Sequence, residues 1–324
     1  MRTITIEEHF LSSAFRERMK NSGGLNSGGG GAELQAKLSD LGSTRLKDMD
    51  ANGIDLQVIS QSSAGTTSFP AQESIGLIRA ANDQLAEAIS THPDRFAGLA
   101  TLPMSDPVAA VAELERAIGS LGFRGVIING TTNGLFLDHP SFFPLLERIA
   151  NLDVPVYLHP AEPPPVVRDA YYSGFDPAVN FFLSASGWGW HSETGIHSLR
   201  LILSGVFDRL PNLQIIIGHM GEMIPFMLDR INNTLAPAAK QLHRRLPEYF
   251  LHNFSITTSG FFTNPPLQLA LQVMGADRII FSIDYPYSTN EQGRTFLDNA
   301  AISSGEKEKI SHLNAERLLH LPER

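Results

Sequence analysis

A glutamate and a histidine two positions apart, Glu7 and His9, stand in the opening run ITIEEHF. On a strand, residues i and i+2 point to one side, so a carboxylate oxygen and an imidazole nitrogen converge there while Glu8 faces the opposite layer. Three further polar groups end short apolar runs: His159 in PVYLHP, His219 in QIIIGHM and Asp284 in RIIFSIDYP. Glu7, His9, His159 and Asp284 make an O,N,N,O donor set for one divalent ion, zinc or manganese, with room left for water or substrate. Desolvating four ionisable groups without such compensation is costly, which favours a metal site over a purely structural reading. His219 is then expected as a neutral imidazole beside the metal, able to exchange a proton with a bound molecule. Arg230, in IPFMLDRIN, is a candidate partner for a substrate carboxylate or, equally, one half of a helix salt bridge. Asn129 is placed to bond a substrate oxygen or to close the Asn-Gly turn after its strand, and spacing alone favours the turn.

Groups drawn from such distant positions must be brought together by regular elements. Eight short runs recur along the chain: 4–10, 55–61, 96–103, 125–130, 155–160, 214–220, 254–260 and 278–286. Between them lie stretches of helical spacing such as ESIGLIRAANDQLAEAIS, DPVAAVAELERAIGSL, SFFPLLERIANL and ETGIHSLRLILSGVFDRL, long enough for right-handed crossovers. Eight such units predict an α/β fold, a (β/α)8 TIM barrel spanning residues 1–324 as a single domain. An open dinucleotide-binding sheet requires G-x-G-x-x-G after strand one, where this chain reads EEHF. Barrel enzymes carry their chemistry at the C-terminal ends of the strands, and Glu7, His9, Gln61, Asn129, His159, His219, Ser259 and Asp284 all fall there. The Gly/Ser stretch at 21–31 reads as an insertion after strand one, a lid or a functionless loop. A long excursion over 161–190 separates strand five from its helix, and loops of that length are often functional.

Composition narrows the chemistry further. The chain has 324 residues, 42% of them hydrophobic and 18% charged, which suits a large buried core. A formal charge of -9 argues against nucleic acid as a partner. No cysteine is present, which removes thiolate nucleophiles, disulfides and Cys-type zinc sites. Lysine is absent between Lys47 and Lys240, so neither a Walker loop nor a lysine Schiff base belongs to that stretch. No apolar run approaches a membrane span and no signal sequence is evident, so a cytoplasmic protein with no membrane partner is expected.

The motifs IEEHF, RANDQLAE, HPDRFAGLATLP, LDVPVYLHP, GVFDRLPNLQIIIGHMGE, ITTSG and DRIIFSIDYPY together resemble the aminocarboxymuconate-semialdehyde decarboxylase branch of the amidohydrolase superfamily. The likeness is greatest to γ-resorcylate and 2,3-dihydroxybenzoate decarboxylases. It implies a metal-dependent, non-oxidative carboxy-lyase acting on a hydroxylated aromatic acid, with no organic cofactor and a homodimeric or homotetrameric assembly. By the same resemblance Glu7, His9, His159 and Asp284 are the metal ligands and His219 the active-site histidine. Asp284 is the implied proton donor, and Arg230, Asn129 and Tyr287 are implied substrate contacts. Two-metal relatives use a carboxylated lysine on strand four, where this chain has GVIING, so one ion is expected.

Two departures stand out. Relatives place aromatic side chains in the first insertion, yet none occurs here between Phe15 and Phe69. Ala161 follows LHP where several of these decarboxylases carry arginine. A hydrolase or hydratase acting on a lactone, ester or unsaturated acid is the alternative within the superfamily, and a metal-bound scaffold without turnover the alternative outside it.

Overall fold

The structure, a computed structural model, describes residues 1–21, 31–62 and 69–322. The strands are β1 (Ile4–Phe10), β2 (Leu56–Gln61), β3 (Phe96–Gly98), β4 (Ala100–Thr101), β5 (Val126–Asn129), β6 (Val156–His159), β7 (Ile215–Ile217), β8 (Phe254–Thr257) and β9 (Ile279–Ile280). All neighbouring pairs are parallel, in the order β1-β2-β3 and β4-β5-β6-β7-β8-β9.

The third expected run is split between the two sheets at Leu99. Its N–H bonds Ile59 O at 2.9 Å, whereas the N–H of Ala100 bonds Gly125 O at 2.9 Å, so the chain hands over from one neighbour to the next. At the other seam the contact is irregular. Ser282 Oγ accepts the N–H of Glu7 at 2.7 Å, and the N–H of His9 bonds Tyr285 O at 2.7 Å. The eight runs read from the sequence thus form the strands of a TIM-barrel-type fold.

Strands buried on both faces must be apolar on both, which is why they read as continuous Val, Ile and Phe runs rather than alternating ones. Their alternate residues divide between two cores. Ile4, Ile6, Val58, Leu99, Ile127, Tyr157, Ile216 and Ile280 fill the interior, closed below by Ala315 and Leu319. Ile59, Val126, Ile128, Val156, Leu158, Ile215, Ile217, Phe254 and Ile256 pack outward. The helices covering that outer face include Ala71–Thr91, Pro107–Gly119, Phe143–Asn151 and Gly189–Leu203, matching the four helical stretches read from the sequence. Helix Pro107–Gly119 starts where its sequence dictates, with Pro107 at its first turn and the Asp106 carboxylate accepting the Val108 and Ala109 amides.

Register matters most in β1. Thr5 pairs with Gln57 but Glu8 with Ile59, so one extra residue is inserted in β1. A one-residue slip reverses which face later side chains take. Ile4 and Ile6 therefore fill the interior at the bottom, and Glu7 and His9 still turn inward at the top. Of the Gly/Ser stretch read as a lid, residues 22–30 lie outside the described residues; helices Ser13–Asn21, Gly31–Ser39 and Ser43–Ala51 flank it and lead to β2. The 161–190 excursion carries two short helices, Pro165–Tyr171 and Pro177–Ser184.

Candidate active site

Glu7, His9 and His159 present ligand atoms within 4.8 Å of one another, all buried. Each is oriented by a partner on its far side. Glu7 Oε2 accepts hydrogen bonds from Tyr157 Oη, Ser259 Oγ and, at 3.1 Å, Thr257 Oγ1. Its Oε1 is left with no hydrogen-bond partner, 3.5 Å from His159 Nε2 and 3.9 Å from His219 Nε2. His159 Nδ1 donates to Pro160 O at 2.7 Å, which leaves the Nε2 lone pair facing the same point. His9 Nδ1 lies 3.4 Å from Ser60 Oγ; its Nε2 is buried without a hydrogen bond and 3.2 Å from Asp284 Oδ1.

Two orphaned buried donor atoms, Glu7 Oε1 and His9 Nε2, aimed at one point among imidazoles and carboxylates, are what a cation-binding set looks like before the cation's own bonds are counted. The residues present fit a divalent ion. The protonation states agree. Burial raises the Glu7 carboxyl, but His219, His159 and His9 outweigh it and hold it below the usual range. Burial first, then His9, pushes His159 down to about 3, so it is a neutral imidazole as a ligand must be.

Several supports were not visible as motifs. Glu8, expected only to face away, accepts the N–H of Ile283 at 3.1 Å and of Tyr285 at 2.8 Å, the amides on either side of Asp284. Asp284 itself adopts φ 72°, a left-handed backbone that a non-glycine residue takes only when its surroundings hold it. Burial, despite two backbone donors, pushes Glu8 up to about 7. Arg45 is fully buried; it donates to His9 O at 2.6 Å and Asp40 O at 2.8 Å, and its guanidinium lies 4.8 Å from the centre of the Tyr285 ring. A single arginine thus ties the β1 end to the Asp284 loop. Gly218 is required by Glu7: a Cβ there would stand 2.9 Å from Glu7 Oε2.

His219 opens a left-handed stretch, with positive φ at His219, Met220, Glu222 and Met223. The turn brings Glu222 back under it, His219 Nδ1 to Glu222 Oε1 at 2.8 Å, and the other oxygen of Glu222 meets His191 Nδ1 at 2.7 Å. Burial disfavours a charged His219, but Glu222 and Glu7 outweigh it and push it up to about 10. This departs from the neutral imidazole expected from sequence, because the partner that decides it, Glu222, is three residues away and reaches His219 only through the left-handed turn. Asp284 is shifted upward by burial and by the Glu7 carboxylate, against the pull of His9.

Above this floor lies a cavity of about 500 Å³ lined by His9, His159, His219 and Asp284 below and by aromatic side chains above. Tyr287 is among the lining residues, its ring 5.6 Å from that of His9 and its Oη 2.8 Å from Ser62 Oγ. Two expected substrate contacts are placed elsewhere. Arg230 is exposed on helix Ile224–Leu235 and does not line the cavity. Asn129 ends β5 beside His159 but lines a separate pocket of about 40 Å³. Gly130, φ 53°, follows it with its N–H still on His159 O at 3.0 Å, and Asn129 Oδ1 is buried without a hydrogen-bond partner, so its side chain closes no turn. The aromatic wall missing from the first insertion is supplied by the 161–190 excursion, through Phe181, Phe182 and Trp190.

With that geometry in place, the chain can be set beside known proteins. The amidohydrolase family model matches residues 39–321. The γ-resorcylate decarboxylase of Rhizobium sp. is 39% identical over 98% of both chains. The crystal structure of a 2,6-dihydroxybenzoate decarboxylase complexed with 2,6-dihydroxybenzoate superposes with a TM-score of 0.89 at 38% identity, covering 99% of both chains. A dihydroxybenzoic acid decarboxylase from Polaromonas sp., solved with manganese and 2-nitroresorcinol, gives 0.90 at 35% identity, covering 100% of this chain and 98% of that one. A donor set at the C-terminal ends of parallel strands, and full-length likeness in both sequence and structure, establish that this chain belongs to the amidohydrolase family.

Proposed function

We propose that this protein is a non-oxidative decarboxylase of a hydroxylated aromatic acid, using one divalent cation held by Glu7, His9, His159 and Asp284. The observation that carries the reading is the position of Asp284 at the floor of an aromatic-walled cavity, its Oδ1 3.2 Å from His9 Nε2 and beside the buried donor set. Full-length similarity to decarboxylases of dihydroxybenzoates supports it. Held by Glu7, His9, His159 and Asp284, a divalent cation would supply Lewis-acid stabilisation of the negative charge on the substrate's oxygens.

The protein's own groups do the rest. The aromatic side chains hold the ring with its carboxyl-bearing carbon toward Asp284. Asp284 delivers its proton to that carbon, which interrupts the aromatic system. The carbon–carbon bond to the carboxylate then breaks, its electron pair restores the aromatic ring, and carbon dioxide leaves. One proton from solvent per turnover returns Asp284 to its starting form. His219, held as an imidazolium by Glu222, faces the same cavity and offers Nε2–H to the oxygen on which charge develops.

The test is carbon dioxide release from a panel of hydroxybenzoates after loading with manganese or zinc, alongside metal analysis of the same preparation. About one ion per chain with gas release supports the reading. One ion with lactone, ester or unsaturated-acid turnover and no gas replaces it with the hydrolase or hydratase alternative.

A further inference from the structure

Among the described residues, a second buried group of ligating side chains stands beside the donor set assigned above: His191, His219 and Glu222 present ligand atoms within 4.8 Å of one another. Two elements supply them. His191 stands in the first turn of helix Gly189–Leu203, whereas His219 and Glu222 belong to the left-handed turn after β7. Helix and turn lie close together, since a Cβ on Gly195 would stand 3.2 Å from Glu222 O. Each imidazole turns its Nδ1 to a different oxygen of the one carboxylate, His191 at 2.7 Å and His219 at 2.8 Å. The rings meet edge to face, their centres 4.7 Å apart at an interplanar angle of 71°. The group is held from behind as well: His191 Nε2 lies 3.0 Å from Ser186 O, and the His219 N–H donates to Ser259 Oγ at 3.2 Å.

Two imidazole nitrogens and a carboxylate are the protein ligands of an open zinc site, with water in the fourth position. An ion about 2.0–2.1 Å from a nitrogen and an oxygen at tetrahedral angles holds them roughly 3.3 Å apart, so each N–H···O contact need open by only about half an ångström. The ion takes the place of one proton on each Nδ1. Affinity is lower here than at the first set for two reasons. Glu7 Oε1 and His9 Nε2 are bare there, while both Nδ1 atoms and both Glu222 oxygens have hydrogen bonds to give up. The dication also meets one carboxylate, Glu222, in place of two, Glu7 and Asp284. The second position therefore fills only when metal is in excess of the first. Manganese is the weakest binder of the first-row divalent series and imidazole suits zinc, so zinc is the ion that enters.

We propose that His191, His219 and Glu222 form a second, weaker zinc site that inhibits the enzyme when filled. His219 is the link between the two positions. Its Nε2 faces the first set, 3.9 Å from Glu7 Oε1, while its Nδ1 is the nitrogen that the second ion takes. An imidazole shifted by the entering ion and fixed by a metal bond carries Nε2–H out of its place at the cavity floor, and displacements of this kind cost rate. The site goes beyond the decarboxylase reading, because its occupancy is measurable whatever acid is turned over.

Equilibrium dialysis of the full chain against buffered zinc, with metal analysis, counts the ions. Two per chain are expected, the second with a Kd at least about a hundredfold above the first. His191→Gln keeps a hydrogen-bond donor for Glu222 and removes a ligand. It is expected to retain the first zinc, which also shows that the variant is folded, and to lose the second. With cobalt(II) in place of zinc, the visible absorption should report two sites in the unaltered chain and one in the variant. In the gas-release assay, turnover of the zinc-loaded enzyme should fall at least about tenfold as the second ion binds. His191→Gln should not show that fall, and manganese at the same concentrations should cause none. Zinc uptake that stops at one ion per chain, a second zinc held equally by His191→Gln, or two ions with undiminished gas release overturns the proposal. Absence of gas at every zinc level overturns the decarboxylase reading instead, and the ion count then still decides the site.

Discussion

Glu7 shows how one side chain is divided between structure and chemistry. One oxygen is saturated by hydroxyls from Tyr157, Thr257 and Ser259, and the other is bare. Glu7→Gln keeps the shape but replaces an anion by an amide. It is expected to lower manganese affinity and kcat by at least about a hundredfold, with folding intact, as metal titration and circular dichroism would show. Glu222 acts through His219. Removing its charge in Glu222→Gln takes away the largest influence holding His219 near 10, so the alkaline limb of the pH–kcat profile should move to lower pH. Glu222→Asp, which keeps the charge, should move it less; an unshifted limb in the glutamine variant would remove His219 as the group responsible.

At the scale of elements, the strands position the donors and the connections decide what surrounds them. The bulge in β1 is a local irregularity whose effect is to turn Glu7 and His9 inward above Ile4 and Ile6. Helix Gly189–Leu203 contributes twice: His191 holds Glu222, and His197 Nε2 accepts the Leu137 amide at 2.8 Å, pinning the loop after β5. His197 is 1% exposed, and burial pushes it down to about 3. The folded state therefore resists a proton that the unfolded chain takes up near 6.5. Stability from this group is complete above 6.5 and declines as pH falls from there toward 3, by about 2 kcal/mol at pH 5. Urea denaturation across that window should show the decline, and His197→Gln, which keeps an acceptor but does not titrate, should flatten it.

For the whole molecule, the four proposed donors, drawn from three separate strands or strand ends, meet only when the sheet is complete, so the proposed site links metal binding to folding. An ion that binds the folded chain alone adds about 2.7 kcal/mol at a hundredfold excess over Kd. Chelation should accordingly abolish turnover and lower Tm, and manganese should restore both. A chain that keeps its Tm through chelation and reloading would break that linkage. Among the described residues, no helix is long and apolar enough to cross a membrane.

Much of this was legible in one dimension, for physical reasons. Strands buried on both faces have to be apolar runs, and a barrel places its chemistry where those runs end, so Glu7, His9, His159, His219 and Asp284 stood out by position and type. Tertiary structure decided what depends on contacts between distant residues. Glu8 and Arg45 carry no motif, yet one grips the amides around Asp284 and the other joins β1 to that loop. The charge on His219 hangs on a turn of left-handed residues, and the exposure of Arg230 on which face its helix buries. An aromatic wall that a reading of the first insertion finds missing is delivered from 161–190, because a loop's place over the barrel mouth is set by packing rather than by its position in the chain.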